Sequence, residues 1–118
     1  IYINNYIIRG GTISVFTIRY QIIKDLPFKE LRNIIDAGKN DIKKGILIAF
    51  SVLDGKIGVS VGVTKNLTEK FDAVELVKEA ASVLGGKGGG GRKDFAQAGG
   101  VNENKIEEAF KSVLKKIN

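Results

Sequence analysis

Glycine fills half of the stretch from Gly85 to Gly100, eight residues of sixteen, in the run Gly-Gly-Lys-Gly-Gly-Gly-Gly-Arg-Lys-Asp-Phe-Ala-Gln-Ala-Gly-Gly. Each glycine costs roughly 0.5–1 kcal/mol relative to alanine in regular structure, so eight together imply a backbone that something approaches closely. Three cations, Lys87, Arg92 and Lys93, lie in the same run. Successive peptide N–H groups in such a loop can turn inward to form an anion-binding concavity, around which the cations add full charge. A phosphate is the expected guest.

Upstream of this run the hydrophobic pattern lays out the elements that must carry it. Residues 1–8 and 12–23 are rich in β-branched and aromatic types, with Arg9-Gly10-Gly11 as a hairpin signal between them, and read as two strands. Pro27 sets a helix start, and Phe28, Leu31, Ile34, Ile35 and Ile42 recur at helical spacing until Gly38 and Asn40 weaken the pattern near residue 40. Ile46 to Leu53 is a nearly unbroken apolar run, as expected of a strand covered on both faces, and Asp54-Gly55 turns it into a partner strand from Ile57 to Thr64. Along that partner Gly58, Ser60 and Gly62 share one nearly bare face, because side chains alternate along a strand. The glycine run is expected to lie against that face.

Asp72, with Glu75 three residues on, makes a capping box, and Phe71 and Leu76 can form a hydrophobic staple. The helix they open buries Leu76, Val77, Ala80, Ala81 and Leu84 and stops at Gly85. A last helix begins near Asn102, with Ile106, Ala109, Phe110, Val113, Leu114 and Ile117 on one face and lysines at its end, where the macrodipole favours them. The pattern predicts an α/β (α+β) fold: a mixed sheet with a β-α-β crossover and a β-hairpin, packed by about three helices, in a single domain over residues 1–118.

Composition narrows the chemistry. The chain has no cysteine and no histidine, which excludes thiolate or imidazole metal sites, Ser/His/Asp and Cys/His catalysis and disulfides; no catalytic and no metal-binding residue is expected. A net charge of +6 favours an anionic partner. No apolar run approaches a membrane span, so the cytoplasm is the expected location. The opening at Ile1 and the absence of methionine predict a piece of a longer polypeptide.

Three lookalikes of the glycine run fail or fall short. Gly86, Gly88 and Gly91 spell the dinucleotide fingerprint, but that motif needs a preceding strand and here a helix leads in. The nucleoside-triphosphate loop needs Gly-Lys-Ser/Thr, and Lys87 precedes Gly88. A flexible spacer does not explain the specific string after Gly91, where Asp94 can cap a turn, Phe95 can anchor it in the core, and Ala96 and Ala98 permit close packing.

Gly-Gly-Lys-Gly-Gly-Gly, then Arg, a variable residue, Asp, an apolar residue and Ala-Gln-Ala-Gly-Gly, resembles the signature at the carboxyl end of alanyl-tRNA synthetases. The resemblance extends back through Gly62-Val63-Thr64-Lys65, Asp54-Gly55-Lys56 and Ile46 to Phe50, and covers roughly residues 28 to 114. Two positions depart from it: Lys93 stands where proline is common, and Phe95 where methionine is. It implies a non-catalytic module, related to the second domain of DHH-type phosphoesterases, that holds the outer corner of alanine-specific tRNA. The whole synthetase would use ATP to attach alanine and a zinc-dependent domain to remove mischarged residues, with no cofactor in this stretch. Alternatives are the substrate-binding half of a phosphoesterase, or an oligomerisation domain forming a homo-oligomer.

The resemblance implies a tRNA-binding set of Lys87, Gly88, Gly89, Gly90, Gly91, Arg92, Lys93 and Gln97. Arg92 leads it, since a guanidinium can grip phosphate bidentately or stack on a base, the competing role being a salt bridge to Asp94. Gln97 can donate to a sugar or base edge, or satisfy buried carbonyls, and the latter is favoured. Lys43, Lys44, Lys65 and Lys70 read as solvated charges, and Tyr2, Tyr6 and Tyr20 as strand residues.

Overall fold

A computed structural model describes residues 2–10, 13–86 and 89–117, with side chains from Phe16 onward. Six strands form one mixed sheet: β1 (Tyr2–Gly10), β2 (Ile13–Lys24), β3 (Gly45–Leu53), β4 (Lys56–Val63), β5 (Gly90–Arg92) and β6 (Phe95–Gly100). They are ordered β1-β2-β3-β4-β6-β5, and every neighbouring pair is antiparallel except β2 and β3. The parallel pair needs a crossover, and α1 (Leu31–Ile42) supplies it. The other helices are α2 (Ala73–Val83) and α3 (Ile106–Ile117). The mixed sheet, crossover, hairpin and three helices agree with the sequence pattern. The turn between β1 and β2 and the side chains of Tyr2 and Tyr6 lie outside the described residues.

Helices cover both faces of the sheet. On one face α2 and α3 pack Leu76, Val77, Ala80, Ala109, Phe110 and Val113 against Ile46, Ile48, Phe50, Val59, Val61, Ala96 and Ala98. Tyr20 joins this core, its ring stacked on Phe110 at 4.0 Å, and is strand packing as expected. The other face holds a smaller cluster in which Leu31 and Ile35 of α1 meet Leu47, Ala49 and Phe95. β3 lies between the two layers and is buried from Gly45 to Val52, which is why its sequence is nearly all apolar.

Two expectations need correction. The bare face of β4 receives α1 and the segment before it, not the glycine run: a Cβ on Gly62 would fall 2.4 Å from Ile35, and one on Gly58 2.1 Å from the Phe28 ring. The Ile35 and Phe28 side chains seated this close to the strand leave no room for a side chain beneath them. The glycine run, moreover, is not one loop. It contains β5 and β6, so the sheet has two strands beyond the four legible in the pattern.

Helix ends also follow local chemistry. Asp72 accepts a hydrogen bond from the Val74 N–H at 2.9 Å and caps α2. At the other end Gly85 has φ 75°, and the Gly86 N–H reaches the Ala81 carbonyl at 2.9 Å, a Schellman closure. Helix α1 runs through Gly38 to Ile42, beyond the expected end, because that glycine serves packing: a Cβ there would lie 2.0 Å from Leu47 Cδ2.

Candidate nucleic-acid interface

β5 and β6 form a hairpin at the sheet edge, with Arg92 opposite Phe95 and Lys93-Asp94 as its two-residue turn. β6 is held on its other side by β4, where Ser60 lies opposite Gln97 and accepts a hydrogen bond from Gln97 Nε2 at 3.1 Å. Phe95, only 6% exposed, roots the hairpin in the α1 cluster, while Ala96 and Ala98 enter the larger core. An alternating strand thus serves two layers at once, with small residues toward α2 and a ring toward α1.

The turn projects outward and is basic. Arg92 and Lys93 are exposed, and the Arg92 Nε lies 3.5 Å from Asp94 Oδ1. With the Arg92 side chain 67% accessible, this ion pair is weak and leaves the guanidinium free to exchange it for a better anion. Lys39 of α1 donates from Nζ to the Asp94 carbonyl at 2.7 Å and pins the turn. Burial pushes the pKa of Lys39 below its ordinary value; Asp94 and Asp36 oppose this, and Arg32 and Arg92 reinforce it. The Arg32 guanidinium carbon sits 4.5 Å from the centroid of Phe95.

Of the eight residues in the expected binding set, Gly89 to Lys93 gather on this hairpin and its approach, and Gln97 lies behind them on β6. Lys87 and Gly88 lie outside the described residues. The glycines divide by role: a Cβ on Gly91 would lie 2.3 Å from the Phe95 carbonyl oxygen, whereas one on Gly90 meets nothing within 4 Å. Gly91 therefore serves the hairpin's own packing, and Gly90 is the position open to a visitor. Sequence reasoning missed Arg32 and Lys39. Their sole signal was a pair of cations on an amphipathic helix seven residues apart, which fits one face but says nothing of what the face meets.

At the far end of β6 a cavity of about 440 Å³ is lined by Leu26, Phe28, Leu53, Ile57, Gly99 and Val101, among others. Phe28, Leu53 and Val101 are the exposed large apolar side chains among the described residues, and all three border it. Such a rim suits a flat apolar face, not a phosphate. Among the described residues no group of three or more His, Cys, Asp or Glu side chains could hold a metal, and no helix is long and apolar enough to cross a membrane.

The model of the DHHA1 domain matches residues 15–118. The chain belongs to this family. Within it, the resemblance to the C-terminal domain of alanyl-tRNA synthetases holds at higher identity. Alanine–tRNA ligases of Hyphomonas neptunium and Fusobacterium nucleatum are 55% identical over 85 residues and 50% identical over 90. That of Bradyrhizobium diazoefficiens is 46% identical over 94, which is 79% of this chain. The chain spans only 10% of the length of these curated relatives. The C-Ala domain from Aquifex aeolicus alanyl-tRNA synthetase has the same fold, with a TM-score of 0.80 at 37% identity, covering 95% of this chain and 96% of that one. A chain described as a DHH-domain member of the s1p family of ribosomal proteins shares the fold alone, with a TM-score of 0.64 at 17% identity. The match covers 98% of this chain and 27% of that one.

Proposed function

We propose that this DHHA1 domain is a non-catalytic tRNA-binding module of an alanine–tRNA ligase, holding the outer corner of alanine-specific tRNA while other domains of the enzyme attach alanine with ATP and edit mischarged tRNA with zinc. A cytoplasmic enzyme is the corresponding setting. The observation that carries the reading is that the synthetase-like string folds as an edge hairpin whose basic turn faces outward, in a family setting of 46–55% identity to such ligases. Folded RNA corners are recognised by shape and backbone, which suits cations on a rigid turn better than a base-reading groove. Gly90, with open space above it, lets a sugar-phosphate chain approach the strand edge.

The domain is expected to bind tRNA in a salt-sensitive way, log affinity falling with log salt at about 0.7–0.9 per phosphate engaged. Arg92→Ala and Lys93→Ala should each weaken binding several-fold and reduce that slope, as measured by fluorescence anisotropy. No tRNA binding at low salt, or binding untouched by both substitutions, would overturn the reading. A tight dimer in ultracentrifugation without RNA affinity would point to oligomerisation instead.

A further inference from the structure

Phe95 is the meeting point of two basic elements far apart in the chain. Cross-strand partners project to the same face of a sheet, so Arg92, opposite Phe95, shares with it the face that α1 covers. From the helix side Arg32 lays its guanidinium over the same ring. We propose that α1 and the β5–β6 hairpin form one phosphate-binding site, with Arg32 and Arg92 gripping a single phosphodiester from either side of the Phe95 ring; the proposal rests on the RNA-binding reading above.

The charge balance favours an anion there. Arg32, Lys39, Arg92 and Lys93 stand against Asp36 and Asp94, four cations to two carboxylates. The carboxylates act as placeholders: Arg32 Nε lies 3.8 Å from Asp36 and Arg92 Nε 3.5 Å from Asp94, with side chains between 39% and 67% accessible. Long, exposed pairs of this kind contribute little, and a phosphate offers each guanidinium shorter, charge-assisted hydrogen bonds. A guanidinium resting on a ring is already ordered and gives up less freedom on binding than a free lysine. Lys39, bonded to the Asp94 carbonyl beneath, keeps the turn at a fixed height relative to α1.

The test is tRNA binding by the 118-residue chain carrying Arg32→Ala, Arg32→Gln, Arg32→Lys, Arg92→Ala and the Arg32→Ala/Arg92→Ala pair, followed by anisotropy of a labelled transcript across a salt series. Arg32→Ala is expected to weaken binding roughly tenfold and to lower the salt slope by about 0.7–0.9, the mark of one lost phosphate contact. Arg32→Gln keeps an aliphatic stem on Phe95 and should lose as much, so a packing defect cannot explain the result. Arg32→Lys should restore the slope but only part of the affinity, since the planar fork is gone. Because both arginines hold one phosphate, the double variant should fall well short of the product of the single losses. Multiplicative losses would overturn the shared grip, as would Arg32 variants that bind like the unmodified chain while Arg92→Ala weakens it. If the unmodified chain binds no tRNA, it is the RNA-binding reading itself that fails.

Discussion

Replacing Gly91 with alanine separates two explanations for the glycine-rich run: close packing of the hairpin on itself, and close approach of a ligand. Gly91 has φ 149°, outside the range where a side chain is comfortable, and its added Cβ would fall 2.3 Å from the Phe95 carbonyl oxygen and 2.7 Å from Ala96 Cα. Relief requires moving backbone by about 1 Å to restore ordinary contact. The backbone in question is β6, which is hydrogen-bonded on its far side to β4 and cannot slide without disturbing the sheet centre. Strain at such a φ and overpacking each cost about 1–3 kcal/mol, which gives about 2–6 kcal/mol for Gly91→Ala. For a domain of this size the midpoint of thermal unfolding should drop by about 10 °C or more. Gly90→Ala is the control one residue away: with no atom within 4 Å of the new Cβ, stability should stay within about 0.5 kcal/mol. Urea unfolding followed by far-UV circular dichroism reads both. Equal stability of the two variants would refute the division of roles, and so would a Gly91→Ala protein as stable as the parent.

Two further outcomes follow from single contacts. Asp72→Ala removes the cap that receives the Val74 N–H and should cost about 1 kcal/mol in the same urea assay; an unchanged midpoint would mean that α2 is held by packing alone. Lys39 holds its proton less tightly in the folded state than in the unfolded chain, because burial lowers its pKa from 10.5. Its contribution to stability therefore rises as pH climbs from the lowered folded value toward 10.5, is complete above that, and is lost as pH falls through the folded value. Lys39→Met should abolish this alkaline gain, so the stability difference between the variant and the parent must change with pH; a constant difference would contradict the assignment.

Some of the architecture was legible in local patterns, and the reason differs from element to element. β3 announced itself because a strand between two helical layers must be apolar on both faces, and α2 because its cap, buried stripe and terminal glycine agree. β5 and β6 were hidden because glycine and alanine carry little strand preference. They are strands because β4 presents an open edge and Ser60 and Val61 find partners in Gln97 and Ala96. Gly58 and Gly62 were correctly seen as a place for close approach, but the visitor was assigned to the wrong element. A bare strand face specifies that something lies close without specifying what, and α1 is the element that the crossover delivers there.

The candidate site divides the same way. Arg92, Lys93 and their glycines stand together in the chain, so their resemblance to a synthetase signature needed no coordinates. Arg32 and Lys39 precede the hairpin by more than fifty residues, and only the docking of α1 over Phe95 brings them to it. Sequence alone determined family, fold class, the excess of positive charge and the exclusion of thiol and imidazole chemistry, because these depend on residue identity and short-range order. Tertiary structure decided which glycines pack inward and which stays open, and which cations share one place. Those are matters of distance between segments, and distance is set by how the sheet is assembled.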